Sequence, residues 1–353
     1  AGPGGLLAAG DDPPGAPGGP TDQASIQHHQ TSAGQTAGGI PAGETAEDLS
    51  SSWRDSLAIP VPGLKSPADC PDEDGDGFGS AQHCEGLDPS QADCDDDDST
   101  VTPASERWVA PGPFLMGSES SHAGFDEKPV HPVQLSGYCM DRTTVSAADF
   151  SAWLDSRSPA GPDIRSIEPD GSVSAGRREH PVEGVTWTEA RDYCRDQGKQ
   201  LPTEAQWEKA ARGGCEGGTD ATACDAGDLN SYPWGSDTPS CDRANHNLST
   251  SLPPQLCTSD TTPLSGTGSN TGPYGHIDLA GNVWEYVADV YHPTVYGSGE
   301  LRTDPGGPEE GSSHVLRGGS WNTFSTNMRT ANRFSDMVMG SAVGIRCARP
   351  TTD

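Results

Sequence analysis

Between His314 and Arg349 the chain reads HVLRGGSWNTFSTNMRTANRFSDMVMGSAVGIRCAR. Over most of this run there is neither the helical period of about 3.6 residues nor the strand period of two. Such a stretch folds as packed irregular chain. Gly318 and Gly319 let the backbone turn or approach a neighbour closely, and Ser320, Asn322 and Thr323 place short polar side chains just beyond the turn. Arg317, Arg329, Arg333 and Arg346 read as internal partners for carbonyls and carboxylates, because a fold poor in regular structure leaves many buried carbonyls to satisfy. The rest of the chain has the same character: among 353 residues, 45 are Gly, 31 are Pro and only 31% are hydrophobic, which excludes a protein rich in regular helix and sheet. The length leaves room for one sizeable domain and a tail.

The formal net charge of −31 excludes nucleic acid and anionic membrane surfaces as partners and favours cations, calcium above all. Ten cysteines without paired CxxC motifs point to disulfides and an oxidising compartment. No apolar run approaches the roughly 18 residues that span a bilayer. The sequence opens on Ala1 without a basic and apolar leader, so the expectation is an exported, extracytoplasmic protein whose leader is gone. GxSxG, HExxH, P-loop and dinucleotide fingerprints are missing.

Three regions follow from composition. Residues 1–64 lack the apolar content to offset chain entropy and read as a tether, with at most a short helix over Ala46–Leu57. Residues 65–104 form an aspartate-rich module in which Asp72, Asp74 and Asp76 alternate with positions suited to a tight loop, so that three carboxylates converge on one hard cation. Asp93, Asp95 and Asp98 are expected to complete the oxygen shell, with Cys84 and Cys94 as a local staple. The module resembles the aspartate-rich calcium repeats of exported bacterial proteins and, more distantly, thrombospondin-type repeats. It is not an EF-hand, since His83 stands where the twelfth position would need an acid. Cys215 with Cys224 and Cys241 with Cys257 are local disulfide candidates, which leaves Cys70 to Cys139.

Residues 105–353 form the globular body. Ser146 is placed to cap a helix bearing Phe150, Trp153 and Leu154. Thr186 or Thr188 can open a second helix, and Thr203 stands three residues before Gln206 in the capping-box relation for a third. The blocks PVEGVTWTEARDYCRDQGKQLPTEAQWEKAARGG, YGHIDLAGNVWEYVADVY and RGGSW…GIRCAR occur in this order, and together they resemble the sulfatase-modifying-factor family, whose best-known members are the formylglycine-generating enzymes. The resemblance runs from about Arg107 to Arg349. It implies an α+β domain of the formylglycine-generating-enzyme fold, distantly related to C-type lectins.

The resemblance also assigns residues. It implies a Cys194–Cys347 disulfide, whereas Ala211 and Arg333 occupy the positions of a second family bridge. It implies a calcium site at Asp278, Gly281, Val283 and Glu285, carboxylates from the acids and main-chain carbonyls from the other two. A second site would use Asn245 and the His246 carbonyl, but Leu256 stands where an acid is expected and Asp260 is displaced. Copper in the active enzymes is held by two cysteines five residues apart, and those positions are Thr323 and Met328 here. A hydroxyl and one thioether cannot replace two thiolates for copper(I). Trp284, Ser320, Trp321, Asn322 and Arg329 match residues that line or support the family's cleft. His246, His276, His292 and His314 are scattered through loops and read as solvated. The expected function is therefore a non-catalytic, calcium-binding module for a peptide, protein or small-molecule ligand. The alternative is an oxidoreductase acting on a peptide or small metabolite.

Overall fold

The computed structural model describes residues 65, 70–80, 91–95, 97–157, 173–215, 224, 230–249, 253–264, 270–297, 300–308, 310–338 and 342–350. The expected tether over residues 1–64, its Ala46–Leu57 helix and Cys84 lie outside them.

Helices form where the capping signals stand. Helix α1 (Ala147–Arg157) starts after Ser146, whose hydroxyl donates to the Asp149 carboxylate at 2.6 Å and accepts the Asp149 amide at 3.0 Å. It buries Phe150 and Trp153 against Tyr193. Helix α2 (Trp187–Asp196) opens with a capping box between Thr186 and Glu189, and α3 (Glu204–Arg212) with one between Thr203 and Gln206. Nearly all of α3 is buried, including Glu204, Glu208, Lys209 and Arg212 alongside Trp207. Buried charges need partners, so this helix dictates where carboxylates and guanidinium groups must come from elsewhere.

Among the described residues the strands are short and fall into four small sheets. In the acidic segment β1 (Gly79–Ser80) pairs in parallel with β2 (Ala92–Asp93). Strand β3 (Glu106–Val109) lies antiparallel to β6 (Tyr138–Asp141), which also takes the terminal β12 (Ala348–Pro350). Strand β4 (Gly112–Met116) pairs with β5 (His131–Leu135), and β5 with β8 (Arg302–Thr303). The last sheet runs β10 (Phe334–Ser335), β9 (His314–Arg317), β7 (Trp284–Val290) and β11 (Val343–Gly344). The two larger apolar cores among the described residues surround Trp207 and Leu279 in one case and Phe150, Trp284 and Ile345 in the other.

Disulfides fasten these pieces. Cys194–Cys347 joins α2 to the terminal segment, and Cys215–Cys224 and Cys241–Cys257 are local, as expected. Two pairings need correction. Cys94 is bonded to Cys139 on β6 rather than to Cys84, and Cys139 is therefore not the partner of Cys70, which is itself disulfide-bonded. The physical reason is burial: Ala92, Cys94, Val101 and Trp108 share one small core with Cys139, so the acidic segment docks on β3 and β6 rather than closing only on itself. No helix among the described residues is long and apolar enough to cross a membrane.

Candidate functional site

The terminal segment is held by its arginines. Arg317 is fully buried, pairs with Glu204 and Glu208 of α3 and donates to the carbonyls of Thr330 and Asn332. Arg346 forms two bonds to Glu285, at 2.8 and 2.9 Å, and donates to three carbonyls, those of Asp141, Arg142 and Ile277. The glycines beside Arg317 are required: at φ +89° a Cβ on Gly318 would meet the Leu279 carbonyl and the Trp207 ring at 3.1 Å, and Gly319 is equally hemmed by Met328 and Thr323.

Beside this segment lies a groove of about 410 Å³. One wall is the 3₁₀ turn Phe125–Glu127 with Gly124; the opposite residues run from Thr326 to Ser335, and Tyr291 contributes its ring and hydroxyl. Arg329 crosses the floor and grips Glu127 with two bonds of 2.6 Å. Burial works to raise the Glu127 carboxyl, but Arg329 holds it below its usual range. Arg333 makes the corresponding pair with Glu204, both bonds 2.7 Å, and lies over the rings of Tyr291 and Tyr296. The Tyr291 hydroxyl donates to Asp126 at 2.8 Å, and burial together with that carboxylate pushes its pKa up to about 12.

Of the residues expected along a cleft, Arg329 lines this groove, while Trp284 and Ser320 are completely buried and cannot touch a ligand without rearrangement. Trp284 belongs to the core instead, packed on Phe334. Trp321 is partly exposed and Asn322 exposed, and the Asn322 amide oxygen accepts the Ser320 hydroxyl at 2.8 Å. Sequence reading missed Asp126, Glu127, Tyr291 and Asn332. Glu127 meets Arg329 across 202 residues, a separation for which linear spacing carries no signal.

The two positions aligned with the copper-binding cysteines do come together around Gly319. Their chemistry is local. The Thr323 hydroxyl donates to the Ser320 carbonyl at 3.0 Å and accepts the Ser320 amide at 2.8 Å, and Met328 is wholly buried with Ala244 and Ala280.

Three sets of oxygens bear on calcium. In the acidic segment, carboxylate oxygens of Asp72, Asp74 and Asp76 lie within 4.8 Å of one another. Asp93, 1% exposed, leaves Oδ2 without a hydrogen-bond partner, and burial with the nearby Asp76 and Asp74 charges pushes its pKa up to about 6. Asp95 and Asp98 are used otherwise: Asp95 pairs with Arg349 at 2.6 Å, and Asp98 accepts the hydroxyl and amide of Thr100. In the second set, Asp278 has φ +58° and a buried Oδ2 without a partner, and Asn270 beside it has an unpartnered Oδ1. Glu285 is turned to Arg346 and to the Trp207 indole at 2.7 Å. These two sets suit a hard cation. The third gathers only neutral oxygens around Asn245, namely the Thr258 hydroxyl and the Asp260 carbonyl, while the Asp260 carboxylate is spent on Arg177. The His246 carbonyl accepts the Cys257 amide at 2.9 Å. Without an anionic ligand this set fits calcium poorly.

Short sheets, capped helices and a long irregular terminal segment pinned by buried guanidinium groups define a mixed α+β domain of formylglycine-generating-enzyme type. The family model for the sulfatase-modifying factor enzyme 1-like domain matches residues 91–351, and the chain belongs to that family. It is similar to the formylglycine-generating enzyme of Streptomyces coelicolor, with 31% identity over 67% of this chain and 86% of that one. The serine/threonine-protein kinase pkn1 of Chlamydia caviae is 32% identical over 69% of this chain but only 37% of its own length. The inactive C-alpha-formylglycine-generating enzyme 2 of Bos taurus is 33% identical over 54% and 55%. Among solved structures, PvdO from Pseudomonas aeruginosa superposes with a TM-score of 0.53 at 21% identity, covering 70% of this chain and 94% of that one, a likeness of fold.

Proposed function

We propose that this chain is an exported, calcium-stabilised binding domain that uses the family scaffold to hold a peptide, protein or small-molecule ligand rather than to oxidise one. The observation that carries the reading is the pair Thr323 and Met328. One offers a hydroxyl already engaged by Ser320, the other a buried thioether, where the family's copper chemistry requires two thiolates. A relative named as inactive among formylglycine-generating enzymes is consistent with loss of the reaction on this scaffold. The groove floored by Arg329 is the place for a ligand. Asp72, Asp74, Asp76 and Asp93 would hold one calcium ion, and Asp278 with the main chain of Gly281 and Val283 another. The ion would supply no reaction there; it would link segments of chain that otherwise repel.

The test is direct. Purified protein, reconstituted with copper(I) and given oxygen and a reductant, is incubated with a cysteine-containing peptide while bound metals are measured. Calcium retention with unchanged peptide is the expected result, and stoichiometric copper with conversion of cysteine to an aldehyde would overturn the reading in favour of an oxidoreductase.

A further inference from the structure

Within that binding reading, the groove's own hydrogen-bond capacity narrows what it can hold. Every guanidinium nitrogen of Arg329 and Arg333 makes at least one bond, to Glu127, to Glu204 or to main-chain carbonyls, although three of the ten N–H groups keep no such bond. Both positive charges are matched by buried carboxylates, so the groove offers an incoming anion no uncompensated guanidinium charge. The acceptor side is different. Asp126 makes no salt bridge among the described residues; one of its oxygens accepts the Tyr291 hydroxyl, and the other is open to a donor. Asn332, also in the lining, gives its amide nitrogen to Glu127 and leaves Oδ1 without a hydrogen-bond partner. Phe334, partly exposed in the same lining, adds an apolar surface.

We propose that the groove recognises a positively charged amine on a short apolar stem, with Asp126 as its counter-charge. An anion would face the Asp126 carboxylate with both arginine charges already matched, and His122, exposed at the edge of the lining, is neutral at about pH 8, where the probes are compared. A neutral apolar ligand would leave the Asp126 carboxylate desolvated and unpaired, which is costly. An ammonium group satisfies both demands, since it brings three donors and the missing charge.

The probes are N-acetyl-lysine methylamide, its neutral isostere N-acetyl-norleucine methylamide, and N-acetyl-glutamate methylamide, each titrated into the full chain at constant ionic strength and followed by calorimetry and by NMR of the groove residues. The lysine probe is expected to shift Asn327, Asn332 and Ser335, Asp126→Asn to weaken it about tenfold or more, and Asp126→Glu to retain most of the binding. Equal binding of the norleucine or glutamate probe at these residues would overturn the amine while leaving the binding reading intact. Lysine-probe binding that Asp126→Asn does not change, or that spreads over the acidic surface and vanishes with salt, would overturn it as well. So would the absence of any shift at about 10 mM probe, an affinity too weak to count as recognition. Failure of the binding reading itself would show separately, as copper-dependent oxidation of a cysteine peptide.

Discussion

Asp289 sits on β7 with its Oδ2 accepting the amide of Glu204 at 2.7 Å, buried beside the Glu204 carboxylate. Burial first, and the Glu204 charge second, push its pKa up to about 7. The folded chain thus keeps this proton to a pH at which the unfolded chain, with an ordinary carboxyl near about 4, has released it. Ionisation therefore opposes folding, and the contribution of this group falls as pH rises from about 4 toward 7. Asp289→Asn keeps an oxygen acceptor for Glu204. Urea unfolding should find the variant more stable at about pH 8, on the order of 2 kcal/mol, with the difference closing toward pH 4; a difference that does not vary with pH would refute this origin. The sequence did not reveal Asp289, because its partner is 85 residues away and linear spacing carries no signal over that distance. The arginines of the terminal segment were legible for the opposite reason: a glycine-rich run without period must import donors for its carbonyls, whichever residues those prove to be.

Helix α3 shows how one element can be fastened without a covalent link. The family's second bridge would join positions now held by Ala211, buried on α3, and Arg333. The tie here is ionic: Arg333 makes its paired bonds to Glu204 at the start of the same helix, and Arg317 spans Glu204 and Glu208. Removing one partner strands a buried charge. Arg333→Leu is expected to cost roughly 3–5 kcal/mol, and Arg333→Leu combined with Glu204→Leu to cost less than the sum of the two single changes, as read from a double-mutant cycle by chemical denaturation. Strict additivity would mean that the pair does not hold the helix. The helix starts themselves were readable, because a capping box is a relation across three residues. The strands were not, since most are two to five residues long and derive their register from neighbours distant in sequence. The same limit explains the disulfides. Local pairs nine and sixteen residues apart were found from spacing, whereas Cys94–Cys139 depends on a shared core with Trp108 that only the folded chain reveals.

Across the whole molecule the dominant fact is an excess of negative charge, −31 over the chain, and the acidic segment is where it concentrates against the folded body. Arg349 reaches from β12 to both Asp95 and Glu106, and Cys94 is bonded to β6, so the segment cannot drift away from its own repulsion. Asp74 and Asp93 are left facing one another's charge, with Oδ2 of each unpartnered. A bound calcium ion would convert that repulsion into a link between the 72–76 loop and β2. A chelator should therefore lower the melting temperature at fixed ionic strength: with calcium at about a hundred times its dissociation constant the loss is about 2.7 kcal/mol, or roughly 5–10 °C for a domain of this size. Raising monovalent salt cannot produce the same gain, because screening weakens repulsion without supplying coordination. Asp93→Asn separates the two effects by sign. In chelator it removes one buried charge from a crowded set and should melt at or above the parent. In calcium it removes a ligand and should melt below it. Melting curves for parent and variant that keep the same order in both conditions would place the calcium dependence elsewhere, with Asp278 the next residue to change.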